Sequence, residues 1–176
     1  MNNYTISEFI SEKDILAKVA EMGRRITADY KDKDLLVVGI LKGSVVFMSD
    51  LIRAIDLPLE ISFMSVSSYA SGIASSGSVR LQCDLDKPLR GKDVLIVEDI
   101  IDSGYTISYL IETLNVRQPA SLKICSLLDK PSRRMTDMKA DYTGFEIEDE
   151  FVVGYGLDYA GKHRNLGYIA KVTFEQ

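Results

Sequence analysis

Residues 94–106 read VLIVEDIIDSGYT, and this stretch limits the possible fold more than any other in the chain. Val94 to Val97 form an apolar run too short for a helix and rich in β-branched side chains, so it reads as a strand buried on both faces. Glu98, Asp99, Asp102, Ser103, Gly104 and Thr106 follow as loop, and from Thr106 to Val116 the apolar spacing becomes helical. In an open parallel sheet such a corner brings the strand's carboxyl end to the helix's amino end, where ligands bind. Gly104 permits a turn that other residues resist, so the N–H groups of Ser103 to Thr106 can converge on a phosphate from a helix N-terminus. Three carboxylates beside that phosphate cannot also bind it; they suit ribose hydroxyls, Mg²⁺ or a proton in transit, and the combination points to a sugar phosphate. The plainer alternative is that Asp99 and Asp102 cap the helix, but one cap does not require three acids beside a glycine turn.

The rest of the chain alternates strand and helix. Ile15, Leu16, Val19, Met22 and Ile26 recur at helical spacing behind Ser11, a suitable N-cap. LLVVGI at 35–40 reads as a buried strand, LKGS at 41–44 as a turn, and 45–55 as a second helix. Residues 59–69 alternate enough for another strand, and 121–127 reads as one more. SGIASSGS at 71–78, glycine and serine with little else, is expected to be mobile; composition alone fits a lid and a plain hairpin connection equally. This order implies an α/β fold with a central, mostly parallel sheet flanked by helices.

With 176 residues, 46% hydrophobic and 27% charged, one domain with a good core suffices. The net charge of −5 argues against nucleic acid as a partner, so phosphate recognition has to be local. The first residues show no signal-peptide pattern and no apolar run has membrane-spanning length, so a cytoplasmic protein with no membrane partner is expected. Cys83 and Cys125 give neither metal spacing nor a disulfide framework; Cys125, inside LKICSLL, reads as a core thiol.

VEDIIDSGYT resembles the phosphoribosyl-diphosphate loop of the type I phosphoribosyltransferases, and within them the hypoxanthine-guanine branch. LKGS at 41–44, SSYAS at 67–71, LLDKPSRR at 127–134 and EFVVGYGLDYAGKHRNLGYI at 150–169 stand in that family's order, so the resemblance covers nearly the whole chain. It implies a core of about 11–145 with a small lobe from about 1–10 and 146–176, and an assembly of two or four copies. The implied reaction moves the 5-phosphoribosyl group of phosphoribosyl diphosphate to N9 of a 6-oxopurine: hypoxanthine, guanine or xanthine, which the sequence does not rank. The implied cofactor is Mg²⁺. A nucleotide-sensing nucleic-acid-binding regulator with the same fold is the alternative, disfavoured by charge.

Residue by residue, the resemblance implies that Glu98 and Asp99 hold ribose hydroxyls, that Asp102 takes the purine N7 proton, and that Ser103, Gly104, Tyr105 and Thr106 bind the 5-phosphate. Lys42, Gly43 and Arg164 become pyrophosphate contacts, with a cis peptide before Lys42; an ordinary βα turn is the alternative at LKGS. Ser68 and Tyr69 fall in the lid. Lys130 donates to the 6-oxo group, Phe151 stacks on the purine and the main chain of Val152 meets its edge, although alone Lys130 would read as solvated and FVV as a core strand. Asp158 joins Glu98 and Asp99 as a magnesium ligand near the base and pyrophosphate. His163, the only histidine, reads as a solvent-exposed neighbour of Arg164. Tyr105 and Glu150 stand where some relatives carry lysine.

Overall fold

Strand β5 outruns its apolar stretch. In the computed structural model, which describes residues 4–68 and 79–175, it spans Asp93–Ile101, so Glu98 and Asp99 belong to the strand and not to a loop beyond it. Its pairing with β6 (Ser121–Asp129) continues through Glu98↔Ser126 to Ile101↔Asp129. Backbone hydrogen bonds, indifferent to side-chain polarity, carry the strand past the point where the apolar pattern stops.

The chain begins with β1 (Tyr4–Ile10), α1 (Glu12–Asp29), β2 (Leu35–Leu41), α2 (Val45–Ala54) and β3 (Glu60–Ser68). Next come β4 (Val79–Cys83), then β5, α3 (Tyr105–Asn115) and β6, followed by β7 (Tyr142–Glu146), β8 (Val152–Val153) and β9 (Ile169–Phe174). Ser11 caps α1 as expected, its hydroxyl oxygen accepting from Asp14 N at 3.2 Å. β4 and β7 are additions to the elements read from sequence.

The larger sheet runs β4-β3-β2-β5-β6-β7, parallel throughout except for β4, which pairs antiparallel with β3. Alternation along its strands supplies two cores. Val37, Leu95, Val97, Cys125 and Leu127 face the side of α1 and α2, where Ile15, Met22, Phe47 and Leu51 pack. Leu36, Val38, Val94, Ile96 and Ile124 face α3 with Ile107, Leu110 and Leu114. Both faces of β2 and β5 are therefore covered, as uninterrupted apolar strands require.

From β2 the chain moves outward to β3, and from β5 it moves the other way to β6. The strand order thus reverses between adjacent β2 and β5, and a crevice opens at their carboxyl ends. A second sheet, β1-β9-β8, joins the two ends of the chain, with Tyr4 opposite Phe174 and Val152 opposite Lys171. Tyr155 ties this tail to α2, its hydroxyl donating to Asp50 Oδ2 at 2.5 Å. Among the described residues no helix is long and apolar enough to cross a membrane.

Candidate active site

The crevice between β2 and β5 is a cleft of about 420 Å³ whose walls include Gly43, Glu98, Asp99, Thr106, Asp158 and Arg164. Six residues singled out in the sequence are thereby gathered from three segments far apart along the chain. The LKGS turn after β2 forms one side, and its Leu41–Lys42 peptide is cis, as the resemblance implies. Lys42 itself is exposed, while Ser44 is buried and donates its hydroxyl to Ile40 O at 2.6 Å. Gly43 is pressed against the acids: a Cβ there would lie 1.5 Å from Asp99 Oδ2.

Glu98 is buried, and among the described residues its Oε2 has no hydrogen-bond partner. Burial, with repulsion from Asp99, pushes its carboxyl well above the usual range. Asp99 meets the cleft, yet enclosing protein still raises it to about 6, against the opposing pull of the Ile100 N–H, its own N–H and Arg164. Neither acid caps α3. That helix starts from Gly104, which sits at φ 89° and offers no side chain to the first-turn N–H groups; Ser103 Oγ lies 3.5 Å from Tyr105 N. The donors at this N-terminus are left for an anion.

Asp158 and Arg164 close the far wall as a pair, Arg164 Nη2 lying 2.5 Å from Asp158 Oδ1. Arg164 Nη1 also donates to Gly156 O at 2.6 Å, and Asp158 Oδ2 accepts from Gly161 N at 2.7 Å. Among the described residues no group of three or more acids, histidines or cysteines is arranged to hold a metal by itself, and Glu98, Asp99 and Asp158 share the cleft.

The remaining residues named from the resemblance for the purine are not among those lining this cleft. Lys130, at the end of β6, is only 7% exposed, which rules out the solvated alternative; its main-chain N–H donates to Ile101 O at 2.9 Å and its Nζ lies 3.5 Å from Asp149 Oδ1. Phe151 is 44% exposed, with ring edges against Tyr159 at 5.5 Å and Phe174 at 5.7 Å, so it is braced from the side and open elsewhere. Val152 is buried in β8. Glu150, where relatives have lysine, accepts from Lys171 Nζ at 2.6 Å, and Tyr105 is exposed. His163 corrects an expectation: it is half-buried rather than solvent-exposed, and its Nε2 lies 2.7 Å from Tyr4 Oη in the small sheet. Ser68 ends β3, its side chain undescribed, and Tyr69 lies outside the described residues, as does 71–78.

Sequence reasoning passed over two cations. Arg133 Nε donates to Asp102 Oδ1 at 3.0 Å while its Nη1 reaches Asp149 Oδ2 at 3.2 Å. Arg134 packs against the loop after β5, donating from Nη1 to the main-chain oxygen of Asp102 at 3.1 Å. The adjacent arginines were visible as a pair in LLDKPSRR, but nothing in their spacing pointed at the loop after β5.

At this level the fold and cleft define a class, an α/β enzyme of phosphorylated sugars. Residues 6–160 match the phosphoribosyl transferase domain family, and the chain belongs to that family. Within it the chain resembles the type I hypoxanthine-guanine branch. It is 54% identical, over the full length of both chains, to a hypoxanthine phosphoribosyltransferase of Haemophilus influenzae. It is 55% identical over 160 residues, 91% of this chain and 89% of the other, to a hypoxanthine-guanine phosphoribosyltransferase of Bacillus subtilis. A crystal structure of a hypoxanthine phosphoribosyltransferase from Staphylococcus aureus superimposes with a TM-score of 0.92 at 50% identity, covering 95% of this chain and 91% of that one.

Proposed function

We propose that this enzyme transfers the 5-phosphoribosyl group of phosphoribosyl diphosphate to N9 of a 6-oxopurine, yielding a nucleoside monophosphate and pyrophosphate in purine salvage. The observation that carries the reading is the juxtaposition of Glu98 and Asp99 with the uncapped N-terminus of α3 at the reversal of strand order. Acids for a ribose and donors for its 5-phosphate stand within one cleft.

In the reaction the bond from C1′ to the pyrophosphate oxygen breaks, its electron pair leaving with pyrophosphate, and N9 bonds to C1′. The N7 proton passes to Asp102. Glu98 and Asp99 hold the ribose hydroxyls, and the main chain of Ser103 to Thr106 with the Thr106 hydroxyl holds the 5-phosphate. Gly43, Lys42 and Arg164 face the pyrophosphate. Phe151 stacks on the base, the main chain of Val152 meets its edge and Lys130 donates to O6. Ser68 and Tyr69 are assigned to the lid on resemblance alone. Arg133 does not prevent Asp102 from acting: both side chains are about half exposed, and such pairs are worth roughly 0–1 kcal/mol, less than the N7 hydrogen bond can replace.

The orphaned Oε2 of Glu98 and the raised carboxyl of Asp99 fit a divalent cation, with Glu98, Asp99 and Asp158 as the carboxylates available to it. Two or three carboxylates completed by substrate oxygens suit Mg²⁺ better than an all-protein cage. Mg²⁺ would neutralise charge developing on the leaving pyrophosphate. We further assign residues 1–176 to a single domain, with its core at about 11–145, in a cytoplasmic homodimer or homotetramer.

The test is pyrophosphate release from phosphoribosyl diphosphate and hypoxanthine, with excess Mg²⁺ and again with chelator. Turnover that is abolished by chelator and restored by Mg²⁺ is expected. Full activity in chelator would contradict the metal assignment, and no transfer to any 6-oxopurine would contradict the function. A regulator is not favoured, because curated relatives matched over nearly their full length bear the names of enzymes.

A further inference from the structure

The segment after β6 is fastened to the phosphate turn along its length. Lys130 N donates to Ile101 O at 2.9 Å, Arg134 Nη1 to Asp102 O at 3.1 Å, and Met135 N to Ser103 O at 2.9 Å. Beneath Gly104 the contact is tight: a Cβ there would lie 2.3 Å from Thr136 Oγ1 and 3.1 Å from Arg134 Cδ. Only one of these donors to successive carbonyls is a side chain, and that side chain is anchored. Arg134 Nη2 forms an ion pair with Asp129, the last residue of β6, and the two side chains are 14% and 12% exposed. Arg133, by contrast, is half exposed where it meets the Asp102 carboxylate.

We infer that Arg134, held by Asp129, is a positioning residue that fixes the main chain of Asp102 and so sets where that carboxylate meets the purine. The inference rests on the reading of Asp102 as the proton acceptor. A guanidinium has the geometry for the task. Its fork donates in two directions at once, one prong to a carboxylate and one to a carbonyl, whereas an ammonium on a flexible stem cannot hold both at fixed spacing. The loop leaves β5 through Asp102 and enters α3 at Tyr105, so the carbonyl that Arg134 holds belongs to the first residue of the loop, the acid itself. Lys130 and Arg134 flank the short 3₁₀ turn Pro131–Arg133, whose main chain is closed by Arg133 N donating to Lys130 O at 3.0 Å and Arg134 N to Pro131 O at 3.1 Å. Displacement of a reacting group by about 1 Å is enough to cost on the order of 10²-fold in rate.

Arg134→Lys keeps the charge beside Asp129 and removes the fork; Asp129→Asn keeps a neighbour for the guanidinium and removes its anchor. Both are to be compared with wild type, with Asp102→Asn and with the double variant Arg134→Lys/Asp102→Asn, each checked for folding by circular dichroism. The expected result is that either single change lowers kcat about 10-fold or more and leaves KM for hypoxanthine within about twofold. In the double variant kcat should be no lower than in Asp102→Asn alone, because a residue acting through Asp102 has nothing further to lose. Wild-type kcat in folded Arg134→Lys and Asp129→Asn, or losses that multiply in the double variant, would overturn the inference. Unchanged kcat in Asp102→Asn would instead overturn the proton-acceptor reading, a distinguishable failure.

Discussion

Gly43 and the two acids of β5 show how closely this cleft is fitted. A methyl group on Gly43 would collide with the Asp99 carboxylate, and on the other side the Gly43 carbonyl lies 2.0 Å from where a Cβ on Gly156 would stand. Gly43→Ala must therefore push Asp99 or the turn out of place, and kcat/KM for phosphoribosyl diphosphate should fall about 10²-fold. Steady-state kinetics on the folded variant checks this, and a loss under threefold would mean that the turn has slack. The acids carry an opposite cost. Burial raises both Glu98 and Asp99, so the native state holds protons that the unfolded chain has already released. The stability this protonation contributes is fully present below about pH 4 and is lost as pH rises through about 6, the native value for Asp99. Asp99→Asn and Glu98→Gln should thus raise the melting temperature at pH 8 by about 3 °C or more while weakening substrate binding, and the gain should shrink towards pH 5. Melting curves across that range decide it; a variant less stable than wild type at pH 8 would show that the acids hold the site together.

Among the elements, the small sheet supports Phe151, the residue proposed to stack on the purine, through edge contacts. Phe174 on β9 and Tyr159 brace Phe151, and Tyr4 on β1 stands against both braces at 6.3 and 5.2 Å. Edge-to-face pairs contribute about 0.5–1.5 kcal/mol each, so Phe174→Ala should raise KM for the purine about threefold and leave KM for phosphoribosyl diphosphate unchanged. Equal rises in both, or none, would contradict a role confined to the base. The elements differed in how plainly they could be read. β2, β5 and β6 stood out as apolar runs because both their faces are covered. β4, mostly exposed, and β7, mostly half-buried, are five residues each and lack that density, and among the described residues β4 pairs only with β3, at the sheet's edge. The acids of β5 read as loop in the sequence because polarity ends an apolar pattern without ending a ladder. Motif order named the residues of the cleft but could not show that Arg133 and Arg134 fold back onto Asp102, a contact across more than 30 residues.

Across the whole molecule, a net charge of −5 coexists with a site for a polyanionic substrate because the recognition is local. In the proposed reaction a helix N-terminus, one arginine and Mg²⁺ meet the phosphates, and two cores pack beneath the β2–β5 crevice. On the proposed assignment, what selects the base is the buried ammonium of Lys130. It offers only donors, which match a 6-oxo group and oppose the amino group of adenine. An unmatched buried polar group costs roughly 1–3 kcal/mol and a charge costs more, so discrimination of about 10²-fold is within reach. Stacking on Phe151 adds affinity without choice, since every purine presents a similar face.

The most direct measurement is kcat/KM for hypoxanthine, guanine, xanthine and adenine with phosphoribosyl diphosphate and Mg²⁺, in wild type and in Lys130→Ala. Wild type should use at least one 6-oxopurine about 10²-fold better than adenine, and Lys130→Ala should lose efficiency with that base and narrow the ratio about 10-fold. Equal use of adenine and hypoxanthine by wild type, or a ratio that Lys130→Ala leaves untouched, would contradict 6-oxopurine transfer as this cleft is built to perform it.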